Sequence, residues 1–115
     1  MDDSRTMRKF MVNHLKKIGI TKIFEASDGR EALNVIFENL PIELVFLDIN
    51  MPIMDGMECL QEIRESHHLK DIPVMMVTSE SEKTLIEEVI KAGANDYLVK
   101  PFKFEQLRDK VRKFL

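Results

Sequence analysis

Two apolar runs without alternation, "ELVFLD" at 43–48 and "PVMMVT" at 73–78, limit what this chain can fold into more than anything else in it. A strand with one wet face alternates apolar and polar side chains; a run apolar at successive positions must be covered on both faces. Helices can supply that cover, and the intervening segments carry them. Met7, Phe10, Met11, Leu15 and Ile18 recur at helical spacing, so residues 4–18 predict an amphipathic helix ended by Gly19. "KIFEA" at 22–26 reads as a short strand, and "SDG" at 27–29 turns it into a second helix. There Leu33, Ile36, Phe37 and Leu40 form the stripe, stopped by Pro41. Met57, Leu60 and Ile63 mark a third helix. Ser81 can cap a fourth, bearing Leu85, Ile86, Val89 and Ile90 and ending at Gly93. "DYLV" at 96–99 is the last strand, and Phe104, Leu107, Val111 and Phe114 line a final helix.

Strands alternating with helices throughout predict an α/β fold, a parallel sheet with helices on both faces and right-handed crossovers. No repeat, linker or low-complexity segment divides residues 1–115, which read as one domain long enough to bury a core. The net charge of -3 argues against non-specific nucleic-acid binding, which needs a basic surface. No apolar run approaches the roughly 20 residues of a membrane span, and no secretory signal opens the chain. A single cysteine, Cys59, cannot form an internal disulfide and suits a reducing, cytoplasmic setting.

In parallel sheets of this kind, functional groups gather at the carboxyl ends of the strands. Asp48, Thr78 and Lys100 end three successive strands there. A carboxylate so placed can attack phosphorus and hold an acyl phosphate, provided charge is neutralised around it. Lys100 offers an ammonium, Thr78 a hydroxyl, and further carboxylates could hold a hard divalent cation. Asp2 and Asp3, ahead of the first helix, are the candidates for that role.

"DDS" at 2–4, "LDINMPIMDG" at 47–56, "MVTSE" at 76–80 and "DYLVKPF" at 96–102 together resemble the response-regulator receiver domains. The resemblance spans essentially the whole chain and is strongest to stand-alone chemotaxis regulators, through "DDSRTMRKF" and through Asn50 and Glu80. It implies a flavodoxin-like sheet in the order 2-1-3-4-5 and a two-component switch phosphorylated on Asp48 by a histidine kinase. Mg²⁺ would be held by Asp3, Asp48 and the Asn50 backbone carbonyl, with Asp2 acting through a water. Thr78 would contact the phosphoryl group, Lys100 would pair with it, and Tyr97 would turn inward when Thr78 moves. The resemblance further implies a cis Lys100–Pro101 bond, and an output face on the fourth helix, last strand and last helix. No enzyme activity is expected beyond self-phosphorylation and self-dephosphorylation.

One departure stands out. In the family a hydrophobic first strand precedes the acidic pair, whereas this sequence opens "MDD". Four strands and five helices are therefore expected, with a gap between "KIFEA" and "ELVFLD", two unpaired edges, and self-association or strand exchange. Asp2 and Asp3 would then sit on a frayed terminus and hold Mg²⁺ weakly.

Plainer readings compete. Asp2 and Asp3 could cap the first helix, Asp55 and Gly56 could only form a turn, and Tyr97 could be core. His14, His67 and His68 read as helix-surface residues, Cys59 as an inert small hydrophobe and the methionines as core filler. A phosphatase of the haloacid dehalogenase type shares the Asp, Thr and Lys, but needs a second aspartate where this chain has Asn50. A receiver-like interaction module that does not phosphorylate is the other alternative, one that would bind no Mg²⁺.

Overall fold

The computed structural model describes residues 1–79 and 83–114. Among these residues, five helices and three strands follow one another as α1 (Arg5–Ile18), α2 (Gly29–Glu38), β1 (Val45–Asp48), α3 (Gly56–Glu65), β2 (Val74–Thr78), α4 (Lys83–Lys91), β3 (Asp96–Val99) and α5 (Phe104–Arg112). The strands form a parallel sheet in the order β1-β2-β3. Every residue of β2 is buried, as a central strand covered on both faces requires.

Alternate residues of β2 feed two separate cores. Val74 and Met76 join Val45, Leu47, Ala32, Ile36, Leu60 and Ile63 on the side covered by α2 and α3, where Val89 of α4 also packs. Met75 and Val77 join Met11 and Leu15 of α1, Leu98, and Leu107 and Val111 of α5 on the other. The period of two along the strand thus becomes a two-sided sandwich of helices around a sheet.

Local chemistry sets the helix boundaries. Ser4 caps α1, its Oγ accepting from the Met7 N–H, and Gly19 closes it in the left-handed region at φ 108°. Asp28 and Asp55 cap α2 and α3 by accepting from the Glu31 and Glu58 N–H groups. Asp55 and Gly56 are therefore the cap and first residue of a helix rather than a free turn. The proposed Ser81 cap of α4 lies outside the described residues.

Arg64, near the end of α3, ties the opposite edge of the sheet together. Its Nε donates to the Gly93 carbonyl at 2.8 Å and Nη1 to those of Lys70 and Ile72. Nη2 reaches Asn95 Oδ1, which also accepts from the Val74 N–H. One guanidinium thereby satisfies carbonyls of the loops that follow α3 and α4. His14 is half-buried against Phe10, ring centroids 4.1 Å apart, and packs edge-on against Phe104, so it is not the surface residue expected.

The strand expected at "KIFEA" does not form. A strand exists only with a partner, and among the described residues Met1 and Asp2 lie between residues 22–26 and β1. Those two residues make what rungs they can. The Met1 amine donates to the Phe46 carbonyl at 2.7 Å, the Asp48 N–H to the Met1 carbonyl at 2.9 Å, and the Asp2 N–H to the Ala26 carbonyl at 3.1 Å. Beyond them lies an apolar cavity of about 380 Å³, walled by Met11, Leu15, Ile20, Ile23, Ile36 and Leu44. Expected as four strands, the sheet has three among the described residues, because residues 22–26 find no ladder to join.

Gly56 lets α3 start against the end of β1. A Cβ there would fall onto the Asp48 carbonyl oxygen and come within 2.7 Å of Ile49 Cα, both of them backbone. Since neither can swing aside, Gly56→Ala is expected to cost about 3 kcal/mol or more. Urea denaturation measures it; a loss below about 1 kcal/mol would contradict the close approach.

Candidate functional site

The carboxyl edge of the sheet brings three chain segments to one point. β1 ends in Asp48, β2 in Thr78, and Lys100 follows β3 with its N–H donating to the Thr78 carbonyl at 2.7 Å. Asp2 arrives from the other side, placed by the Met1 and Asp2 rungs. Asp48 is 6% exposed, Asp2 5% and Thr78 2%, whereas Asp3 is open to solvent. All the side chains singled out from the sequence for acceptor, metal and cation roles therefore meet here.

Lys100 is the hub. Its Nζ donates to Asp2 Oδ2 at 2.8 Å and lies 3.4 Å from Asp48 Oδ2. Burial alone would lower the ammonium, but Asp2 and Asp48 outweigh it and hold Lys100 above its usual value. Burial also pushes the Asp2 carboxyl up; the Lys100 ammonium and the Ser4 N–H, donating to Oδ1 at 2.9 Å, pull it below the ordinary range. Asp48 goes the other way, raised first by burial and then by the charge of Asp2. The Met1 amine is lowered to about 6, chiefly by desolvation. Burial also pushes the Cys59 thiol up to about 12, so it is a packed and inert side chain, as read.

Asp2 is not frayed. Three backbone and side-chain hydrogen bonds fix it, and Arg8 Nη1 donates to its carbonyl at 2.8 Å. Neither Asp2 nor Asp3 caps α1, since Ser4 does so.

One carboxylate oxygen from each of Asp2, Asp3 and Asp48 lies within 4.8 Å of the others. Three carboxylates against one ammonium leave a surplus of negative charge, and the donors are all hard oxygens. That set fits Mg²⁺. Asn50 is exposed in the loop leaving β1. The loop doubles back tightly: the Gly56 N–H donates to the Ile49 carbonyl at 2.7 Å and the Gly29 N–H to that of Met54 at 2.9 Å.

Tyr97 lies half-buried in β3, with Lys110 Nζ 5.0 Å from its ring centroid. The Lys100–Pro101 bond is cis, as the resemblance implies, and so is Leu40–Pro41. Glu80, singled out from the sequence beside Asn50, lies outside the described residues. Two contributors were not read from the sequence: the Met1 backbone, which anchors Asp48, and Arg8, which holds Asp2. The first has no side-chain signature at all. Arg8 sits among basic residues of α1 that look merely solvated.

The family model described as the response regulator receiver domain matches residues 1–112. A chemotaxis protein CheY homolog of Campylobacter jejuni is 36% identical over 115 residues, covering 100% of this chain and 88% of that protein. Among solved structures, chemotaxis protein CheY4 of Vibrio cholerae is similar at a TM-score of 0.89 and 32% identity, over 99% of this chain and 93% of that one. The CheY of a CheX-CheY-BeF3-Mg complex from Borrelia burgdorferi aligns at 0.91 and 32%, over 97% and 83%.

Ionised Asp48 costs this fold stability. A carboxyl raised in the folded state binds its proton more tightly there, so the wild type gains stability as pH falls through that raised value toward the ordinary one. Without divalent ions, Asp48→Asn should melt above wild type at about pH 7, the gap shrinking at about pH 4.5. Each 1 kcal/mol relieved should raise Tm by about 4 °C. A variant melting at or below wild type at neutral pH would contradict the charge assignment.

Proposed function

The chain belongs to the response regulator receiver domain family, and on that premise we propose that it is a phosphorylation-dependent signalling switch whose phosphoacceptor is Asp48. The observation that carries the reading is the Asp2–Lys100–Asp48 cluster: a buried carboxylate at a strand end with an ammonium 3.4 Å away.

Receiver domains bind Mg²⁺ at an acidic site, and in this chain Asp3, Asp48 and the Asn50 carbonyl would hold it, with Asp2 acting through a water. When bound, the ion neutralises charge building up on the phosphoryl oxygens. Asp48 Oδ attacks phosphorus. The phosphohistidine nitrogen of the donor leaves with the bonding pair and takes up a proton. Lys100, already poised between two carboxylates, can turn from Asp2 to the new phosphoryl oxygens, and the Thr78 hydroxyl donates to another. Self-dephosphorylation returns Asp48 to the free carboxylate, and no other enzymatic activity belongs to this reading.

Receivers of this family work with histidine kinases and downstream targets. For this chain the donor is a histidine kinase, and the output surface is α4, β3 and α5. Tyr97 of β3 pairs with Met76, two residues before Thr78 on the same face of β2, so drawing Thr78 toward a phosphoryl oxygen opens space for the Tyr97 ring. The cavity beside Met1 favours pairing of the β1 edge with a strand from another copy, which would make the molecule self-associate. No helix among the described residues is long and apolar enough to cross a membrane, and the reading places the protein in the cytoplasm. The phosphatase alternative lacks its second aspartate, since position 50 is Asn.

Acetyl phosphate with Mg²⁺ is expected to add one phosphoryl group, seen by intact mass and removed by Asp48→Asn. Incorporation unaffected by that substitution would move the acceptor elsewhere. Mg²⁺ titration should perturb the wild type before any donor is added; an unresponsive protein would favour the non-phosphorylating module.

The coupling has its own readout. With beryllium fluoride and Mg²⁺, amide NMR shifts are expected at Tyr97 and along 83–91 as well as at 48–56. Shifts confined to 48–56 would refute it.

A further inference from the structure

Ile53 sits where an isoleucine gains nothing from its own fold. The Met54 N–H donates to the Pro52 carbonyl at 2.7 Å, closing a three-residue turn with Ile53 at its centre and φ at 67°. Turns of this kind with positive φ are rare and strained, and for a β-branched residue the left-handed region is an outlier. Asn or Gly would hold the same backbone more easily. Burial does not repay the choice, because Ile53 is 82% exposed. Its neighbours Met51 and Met54 are buried and Met54 is pinned by Gly29, so the Pro52–Ile53 tip is a stiff apolar projection. It rises from the loop that leaves Asp48.

We propose that Ile53 is a docking contact for the phosphohistidine-bearing protein that delivers the phosphoryl group to Asp48. The proposal rests on the reading of Asp48 as phosphoacceptor. Asp48 is almost fully buried, so a protein donor can bring phosphorus to it only by seating on the loops around it, and residues 49–55 form one of those loops. A small donor needs no such seat. Strain kept at an exposed position points to use outside the chain. The output face, on α4, β3 and α5, lies along other elements, which makes the donor the favoured occupant.

The test compares two donors. One is the isolated phosphohistidine domain of a chemotaxis histidine kinase, phosphorylated beforehand; the other is acetyl phosphate. Ile53→Asn should raise Tm, slow transfer from the domain about tenfold, the effect of losing one buried apolar contact, and leave acetyl phosphate labelling unchanged. Ile53→Met, apolar but unbranched at Cβ, should keep transfer near the wild-type rate. The proposal is overturned if Ile53→Asn accepts from the domain as fast as wild type, or is slowed equally with both donors. It is also overturned if wild type takes phosphate from acetyl phosphate but not from the domain. Wild type labelled by neither donor would instead sink the reading of Asp48.

Discussion

Burial of β2 on both faces is the constraint from which the rest of this structure follows. Val74 and Met76 face one core while Met75 and Val77 face the other, so helices must lie on both sides and neighbouring strands must run parallel. Parallel strands end at the same edge. Asp48 and Thr78 therefore reach one rim, with Lys100 just beyond β3, although 51 residues lie between the first and the last. Packing decides where the chemistry sits before any charge acts.

At that rim electrostatics takes over. A single ammonium serves Asp2 and Asp48 together, and the outcome is asymmetric: Asp2 keeps the closer hydrogen bond and is lowered, while Asp48 bears the repulsion and is raised. The group that would receive the phosphoryl is the one whose negative charge is least compensated. A cation bound among the three carboxylates would relieve the same repulsion, so affinity for it and the cost of ionised Asp48 would share one origin.

Much of this was legible in the sequence because it rests on local periodicity. The helix spans, the buried runs of β1 and β2, and Asp48, Thr78 and Lys100 at the rim all follow from spacing and strand ends. What escaped depends on partners remote along the chain. "KIFEA" has strand composition, yet composition cannot supply a neighbour, and residues 22–26 face a cavity instead of a ladder. Arg64, not singled out from the sequence, binds carbonyls at Lys70, Ile72 and Gly93, and nothing at its own position announces them. Asp2 was expected on a frayed end; two rungs of backbone and the Lys100 bond hold it, a three-dimensional coincidence with no sequence signal.

The features that weaken the fold are gathered near one edge. An under-compensated carboxylate, a helix begun in backbone contact at Gly56 and a strained turn at Ile53 all lie within residues 48–56. A segment with those properties would not hold its shape alone. It is held because its ends are fixed elsewhere: β1 is paired to β2 along its whole length, and Leu60 and Ile63 anchor α3 in the larger core. Rigid ends around a costly loop leave a change in charge at Asp48 little room for local relaxation. On the proposed reading it would be passed along the rim to Thr78, the neighbouring strand end, whose carbonyl accepts from the Lys100 N–H.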